Sequence, residues 1–328
     1  MEVSILPLQR TLDVRSGENL LEALHNNRIP VSYSCMAGRC GTCRCRLVSG
    51  SVLLTGTSES QPPVANGQSV LACQATVVED CVIEIPEVDE IVAHPAKIIK
   101  TTVVGIEDLT HDIKRVRLAL SRSFEFSPGQ YATLQFTAQH IRPYSMAVTA
   151  NSEEVEFHIR LVPGGRVTSY VATDLRVGQA VRLSGPLGTA YLRKKYAGPI
   201  VCIAGGTGLA PILSILRGMV DAGMRNPVHV YFGVRSSEDI YGLRWLNEMR
   251  EALPDLTVHV VVASGANGGP FRAGVVTEAV NTDWKSMTGW RAYLAGAPVM
   301  VDAASILLRQ KGVDPDHIYA DAFYASGV

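Results

Sequence analysis

The sequence runs to 328 residues, room for two domains or three small ones at ~150 residues each. It is 47% hydrophobic and 19% charged, which excludes a disordered chain. Thirty basic against 31 acidic residues exclude a nucleic-acid binder that works by bulk charge, and no apolar run approaches the ~20 residues of a membrane span. The opening Met1-Glu2-Val3-Ser4-Ile5-Leu6-Pro7 has no basic lead and no long apolar run, so a cytoplasmic protein is expected.

Val3 to Leu6 and Thr11 to Val14 predict two short strands. Asn19 to Asn27 predicts a helix started by Ser16 or Glu18, with Leu20, Leu21 and Leu24 on one face. A loop rich in Gly and Cys follows, then strands at Cys43 to Val48 and Cys81 to Ile85. Pro86 to Pro95 is bounded by prolines and polar in its middle, and it predicts a linker. Strand-like runs recur at Lys97 to Ile106, Ile113 to Leu120, Tyr131 to Phe136, Val155 to Leu161 and Ala180 to Leu183, with a short helix at Val167 to Asp174. That spacing predicts an antiparallel barrel. Beyond residue 197 strands alternate with helices, at Ile200 to Ala204, Val228 to Phe232, Val258 to Ala263, Ala292 to Leu294 and Ile318 to Asp321, which predicts a parallel, doubly wound sheet. The expected domains are 1–92, 97–196 and 197–328.

Six of the seven cysteines lie in the first 81 residues. A cysteine-dense segment inside a large chain reads as a metal site rather than a disulfide scaffold. Cys35, Cys40 and Cys43 stand as C-x4-C-x2-C, and Cys73 follows 30 residues later, the spacing of a plant-type [2Fe-2S] centre. Gly38 and Gly41 permit the tight loop that brings three thiolates to two irons. Zinc is the alternative, although Cys73 lacks the close second cysteine that zinc sites pair. Cys45, Cys81 and Cys202 read as buried thiols that bind nothing.

Arg142-Pro143-Tyr144-Ser145 offers an arginine for a pyrophosphate, an aromatic face for an isoalloxazine ring and a hydroxyl for its N5 edge. Alone it reads more readily as a turn with an exposed Arg and a packed Tyr. Gly164-Gly165-Arg166-Val167-Thr168 leads into the short helix, whose first amides suit an anion; a plain loop-to-helix cap is the alternative. Gly205-Gly206-Thr207-Gly208-Leu209-Ala210-Pro211 follows an apolar strand and opens an amphipathic helix, the context of a dinucleotide loop, with Pro211 where the fingerprint has its third glycine. Gly296, Ala297 and Pro298 end another strand and open another helix.

In this order the motifs resemble those of the iron–sulfur flavoprotein reductases of bacterial aromatic-ring oxygenases, nearest the reductases of naphthalene dioxygenase systems. The similar stretches are Tyr33 to Cys35, Gly38 to Arg46, Phe124 to Tyr131 and Ile318 to Tyr324. The resemblance covers essentially the whole chain. It implies a β-grasp plant-type [2Fe-2S] ferredoxin domain, an antiparallel β-barrel flavin domain and an α/β parallel-sheet nucleotide domain. It implies Cys35, Cys40, Cys43 and Cys73 on the cluster. It implies FAD at Arg142, Tyr144, Ser145, Gly165, Val167 and Thr168, with Phe323 and Tyr324 as candidates for covering the flavin. It implies NAD(P)H at Gly205, Gly206, Thr207, Gly208, Pro211, Gly296 and Pro298, with Arg235 and Glu238 at the ribose. Where many relatives carry Cys-Gly, this chain has Ala295-Gly296, so no thiol stands there.

NADH delivers two electrons as a hydride, and a [2Fe-2S] cluster accepts one at a time; flavin mediates between them. The expected activity is that of an NAD(P)H-dependent ferredoxin reductase, with Tyr144 and Ser145 beside the flavin and no general acid–base dyad. The implied partners are a Rieske-type ferredoxin and, through it, a terminal aromatic-ring dioxygenase in aromatic hydrocarbon catabolism. The alternatives are direct donation to an oxygenase, and a redox sensor or carrier with little NADH turnover. Arg39, Arg44 and Arg46 form a basic run that either steers an acidic partner or serves the cluster loop; Lys114, Arg115 and Arg117 offer a second such face.

Overall fold

The computed structural model describes residues 1–29, 31, 43–54, 64, 66–85, 94–265 and 270–324. They form two units, Met1–Ala96 with Gly185–Gly188, and Lys97–Ser184 with Thr189–Val328.

The first unit contains β1 (Glu2–Leu6), β2 (Arg10–Asp13), α1 (Leu20–Asn26), β3 (Arg44–Ser49), β4 (Val52–Leu54), β5 (Ser69–Leu71), β6 (Ala75–Val77) and β7 (Cys81–Glu84). Its main sheet runs β2-β1-β7-β3-β5, with β1 and β7 parallel and their neighbours antiparallel. Leu20, Leu21 and Leu24 of α1 are fully buried in one core with Val3, Ile5, Leu47 and Ile83. A helix gripped by a mixed sheet is the β-grasp arrangement. The helix is capped by neither Ser16 nor Glu18: Asn19 accepts from the backbone N–H groups of Leu21 and Glu22 at 3.1 and 3.3 Å. Glu18 instead accepts from the Arg15 N–H. The predicted linker falls, over residues 86–93, outside the described residues.

After residue 96 come β8 (Lys97–Asp108), β9 (Ile113–Leu120), β10 (Tyr131–Gln135), β11 (Ile141–Ser145), β12 (Glu154–Arg160), α2 (Arg166–Thr173) and β13 (Ala180–Leu187), all in the second unit but for the last three residues of β13. The sheet runs β11-β10-β13-β8-β9-β12, and a bridge from Met146 to Phe157 joins its two ends into a barrel. Arg142 to Ser145 does not form a turn. It lies in β11, paired with β10 from Leu134↔Arg142 to Tyr131↔Ser145.

The chain continues through β14 (Ile200–Gly205), α3 (Leu209–Asp221), β15 (Val228–Val234), α4 (Leu243–Ala252), β16 (Leu256–Val262), β17 (Arg272–Ala273), α5 (Val276–Asp283), β18 (Arg291–Gly296), α6 (Pro298–Gln310) and β19 (Ile318–Ala322). This sheet is parallel throughout, in the order β17-β16-β15-β14-β18-β19. Its order reverses between β14 and β18, so the loops after those two strands flank the switch point where such sheets bind ligands. The α3 helix is buried almost all round because the barrel covers its outer side: Ser214 donates to the Val148 carbonyl at 2.6 Å and accepts from Gly129 N–H at 3.1 Å. Among the described residues no helix is long and apolar enough to cross a membrane.

Candidate functional site

In the first unit, pairing of β3 with β5 sets Arg44 opposite Leu71 and so draws Cys43 to the short turn Ala72–Gln74. The Cys73 N–H points at the Cys43 sulfur at 3.4 Å, and both residues are buried. A backbone N–H aimed at a sulfur favours the thiolate a metal needs, against the burial that disfavours it. Asn19 adds to this: while its oxygen caps α1, its amide nitrogen donates to the carbonyls of Cys73 and Ala75 at 3.1 and 3.3 Å. Two of the predicted ligands therefore meet from distant segments, as an iron–sulfur centre requires. Cys35 and Cys40, with Arg39, lie outside the described residues. Burial pushes the Cys81 thiol up to about 11 and raises that of Cys202, so these two stay protonated. Arg44 is exposed, whereas Arg46 donates to Glu84 at 2.6 Å.

In the barrel, Arg142 and Tyr144 stand two apart on β11 and share a face. The Tyr144 ring meets Phe136 edge-on at 6.5 Å, and its hydroxyl is buried with no hydrogen-bond partner among the described residues. Burial pushes that hydroxyl upward. An orphaned buried donor beside an arginine fits a bound group that presents acceptors, as a flavin does. Gly164 has a φ of +71°, which turns the chain into α2. A Cβ at Gly165 would lie 2.4 Å from the Thr168 oxygen. Thr168 accepts from Val162 N–H at 3.2 Å and so closes the turn, while Val167 packs into the barrel core and offers only its backbone.

In the nucleotide sheet the two glycine loops touch. A Cβ at Gly208 would lie 2.0 Å from the Ala295 carbonyl oxygen, and one at Gly296 would lie 2.9 Å from the Gly205 oxygen. Gly296 has a φ of +140°, and Gly206 one of +55°. The bare backbone leaves the close approach a dinucleotide needs. Arg235 and Glu238 are exposed beyond β15. Asp239 beside them is committed: it accepts from Ser236 N–H at 2.9 Å and pairs with Arg160 at 3.1 Å.

Two residues that the sequence reading missed join these sites. Asp321 of β19 accepts from the Ser145 hydroxyl at 2.6 Å. Burial pushes its carboxyl up to about 6, against the pull of that hydrogen bond. Arg160 of β12 places a guanidinium nitrogen 3.3 Å from where a Gly206 Cβ would be, held by Asp112 at 3.0 Å and by Asp239. The available signal was Glu154, Glu156, His158 and Arg160 alternating with apolar Val155, Phe157 and Ile159 along one strand. His158 is buried, and the ring is neutral because burial lowers it. Its Nε2–H donates to Glu156 at 2.9 Å, and Nδ1 accepts from the Tyr241 hydroxyl at 3.1 Å. Phe323 donates its N–H to Gly296 at 2.8 Å and sits at the glycine loops, whereas Tyr324 is exposed.

A thiol centre, a flavin barrel and a pyridine-nucleotide sheet on one chain define an iron–sulfur flavoprotein oxidoreductase. Residues 3–78 match the 2Fe-2S iron-sulfur cluster binding domain, 100–191 the oxidoreductase FAD-binding domain and 202–305 the oxidoreductase NAD-binding domain. The chain is 54% identical, over 100% of both chains, to the naphthalene 1,2-dioxygenase system ferredoxin–NAD(P)+ reductase component of Pseudomonas putida. It is also 54% identical, again over 100% of both, to the reductase component of the naphthalene 1,2-dioxygenase/salicylate 5-hydroxylase systems of a Ralstonia species. Among solved structures, a cytochrome P450 reductase of Amycolatopsis, GcoB, superposes with a TM-score of 0.72 at 32% identity over 98% of each chain. The ferredoxin reductase in carbazole 1,9a-dioxygenase gives 0.67 at 29% over 98% of each. The chain belongs to the family of ferredoxin–NAD(P)+ reductase components of dioxygenase systems.

Proposed function

We propose that this protein takes hydride from NAD(P)H and passes single electrons through its [2Fe-2S] cluster to a separate Rieske-type ferredoxin. The ferredoxin would serve a terminal aromatic-ring dioxygenase in the cytoplasm. The observation that carries the reading is the 54% identity, without a break in coverage, to a reductase component of a naphthalene dioxygenase system. When bound, the flavin exchanges a hydride on one side and single electrons on the other, and the cluster carries them one at a time.

The chain's own residues bind and orient. Cys35, Cys40, Cys43 and Cys73 hold the cluster. Arg142 and the first amides of α2, from Gly165 to Thr168, hold the FAD pyrophosphate, with Tyr144 against the ring and Phe323 over it. The loops at Gly205 to Gly208, with Pro211 opening α3, and at Gly296 to Pro298 hold the nicotinamide nucleotide, with Arg160 at its phosphates. Arg235 and Glu238 lie toward the ribose, where the arginine suits a 2′-phosphate and the acid a free 2′-hydroxyl. Ser145 holds a proton at Oγ. With Asp321 ionised that proton is committed to the carboxylate. With Asp321 protonated the carboxyl becomes the donor and the Ser145 O–H is released toward the flavin.

The deciding measurement is an absorption spectrum with iron, sulfide and flavin analysis, followed by NADH-driven reduction of a Rieske-type ferredoxin. Two irons, two sulfides and one FAD per chain, with ferredoxin-dependent oxygenase turnover, are expected. Oxygenase turnover that needs no ferredoxin would replace the reading with direct donation.

A further inference from the structure

The last strand, β19, is an edge strand paired with β18 on one side only and packed on α6 through Ile318 and Ala322, yet it places Asp321 against Ser145 on the barrel. An edge strand lacks a ladder on its outer side, so side-chain contacts help to fix where it lies. Tyr319 stands two residues before Asp321 and shares its face of the strand. Its ring stacks on buried Tyr293 of β18, with centroids 5.2 Å apart. The guanidinium of Arg193 lies 4.2 Å from the centre of the Tyr319 ring and 3.6 Å from that of Tyr191. Arg193 is itself held in place. Its Nη atoms donate to the carbonyls of Tyr191 at 2.6 Å and Thr189 at 3.2 Å, and its backbone N–H donates to the Tyr293 hydroxyl at 2.9 Å. Residues 189–193 are the segment by which the chain leaves the barrel for the nucleotide sheet.

We propose that Arg193 is a positioning residue for flavin reduction: its guanidinium, shared between Tyr191 and Tyr319, ties the last strand to the barrel's exit and so holds Asp321 on Ser145. The inference rests on the role proposed above for that pair. Lysine cannot substitute, because a point charge lacks the flat face that engages two rings and the fork that reaches two carbonyls.

The test is stopped-flow reduction of the flavin by NADH between pH 5 and 8, on the full holoenzyme. The wild type should show an inflection near pH 6, where Asp321 titrates. From β11 Asp321 meets Ser145 and from β18 it faces Ala295, neither of which titrates. Arg193→Lys and Tyr319→Leu should each free Asp321 to water, move the inflection toward the ordinary carboxylate pKa of ~4 and slow the step about tenfold at pH 7. FAD content should not change. Tyr319→Phe keeps the ring and should keep the wild-type profile. A merely structural Arg193 would lower thermal stability and leave the inflection in place, which overturns the proposal; a wild-type profile in Tyr319→Leu does the same. Asp321→Asn separates the two readings. If it retains the inflection, the pair is not the titrating group and the underlying role falls. If it abolishes the inflection while Arg193→Lys does not move it, only the positioning falls. Should Arg193→Lys not fold, the two Tyr319 variants decide.

Discussion

Ser145 and Asp321 are 176 residues apart in the chain, and their side chains share a hydrogen bond of 2.6 Å. One comes from the barrel and the other from the last strand of the nucleotide sheet. The bond thus exists only when both halves of the second unit are in place. Because burial holds Asp321 at about 6, the donor and acceptor exchange roles within a working pH range. Ser145→Ala should slow flavin reduction by NADH roughly ten- to a hundredfold, the worth of one charge-assisted hydrogen bond, without loss of FAD. Stopped-flow absorbance of the flavin reads this directly, and an unchanged rate would remove Ser145 from the reaction.

The cluster makes a sharper prediction. Cys35→Ser, Cys40→Ser, Cys43→Ser and Cys73→Ser should each lose or degrade the iron–sulfur absorption while NADH-to-flavin reduction persists. Cys45→Ser and Cys81→Ser should keep it. A normal cluster spectrum in Cys73→Ser would refute the ligand set.

Gly208→Ala tests the nucleotide loop. The added methyl would lie 2.0 Å from the Ala295 carbonyl oxygen, a backbone atom that cannot step aside. The two loops must part, and the KM for NADH should rise more than about tenfold while cluster and flavin spectra stay normal. Steady-state turnover with ferricyanide reads both parameters, and a wild-type KM would show that the loop does not carry the nucleotide.

Glu156 governs acid stability. Burial alone would raise its carboxyl, but hydrogen bonds from His158 and Arg115 outweigh it and hold it at about 2. A folded-state value below the unfolded one stabilises the native state fully above the ordinary 4.5, and that stabilisation is lost as the pH falls toward 2. Glu156→Gln should therefore be less stable than wild type at pH 7 and approach it at pH 3. Urea unfolding at both values checks the sign; a gap that widens in acid would contradict it.

The cluster spacing and the glycine loops were legible in the sequence because each is a local pattern whose residues act together within a few positions. The parallel sheet was equally open, since its central strand, Ile200 to Ala204, is apolar on both faces. The short strands β4, β5 and β6 were not, being three residues each with no room to show a period. The strand character of Arg142 to Ser145 was hidden by Pro143, which breaks the β-pattern yet sits opposite Thr133 in the ladder. Asp321 was passed over for its neighbours Phe323 and Tyr324. A carboxylate at a strand end looks like any solvated charge until the fold sets a hydroxyl against it.

The basic strand of the barrel closes its own circuit. Lys114 pairs with Asp108 at 2.6 Å, Arg115 with Glu107 and Glu156, and Arg117 with Glu107 and Glu154. A visiting acidic protein would have to displace an internal carboxylate for each contact it made there, with little net gain. With four carboxylates around three cations, that face offers an acidic partner no attraction at long range. An ionic-strength series on ferredoxin reduction therefore becomes a compass: whatever salt response it shows points away from the barrel ladder.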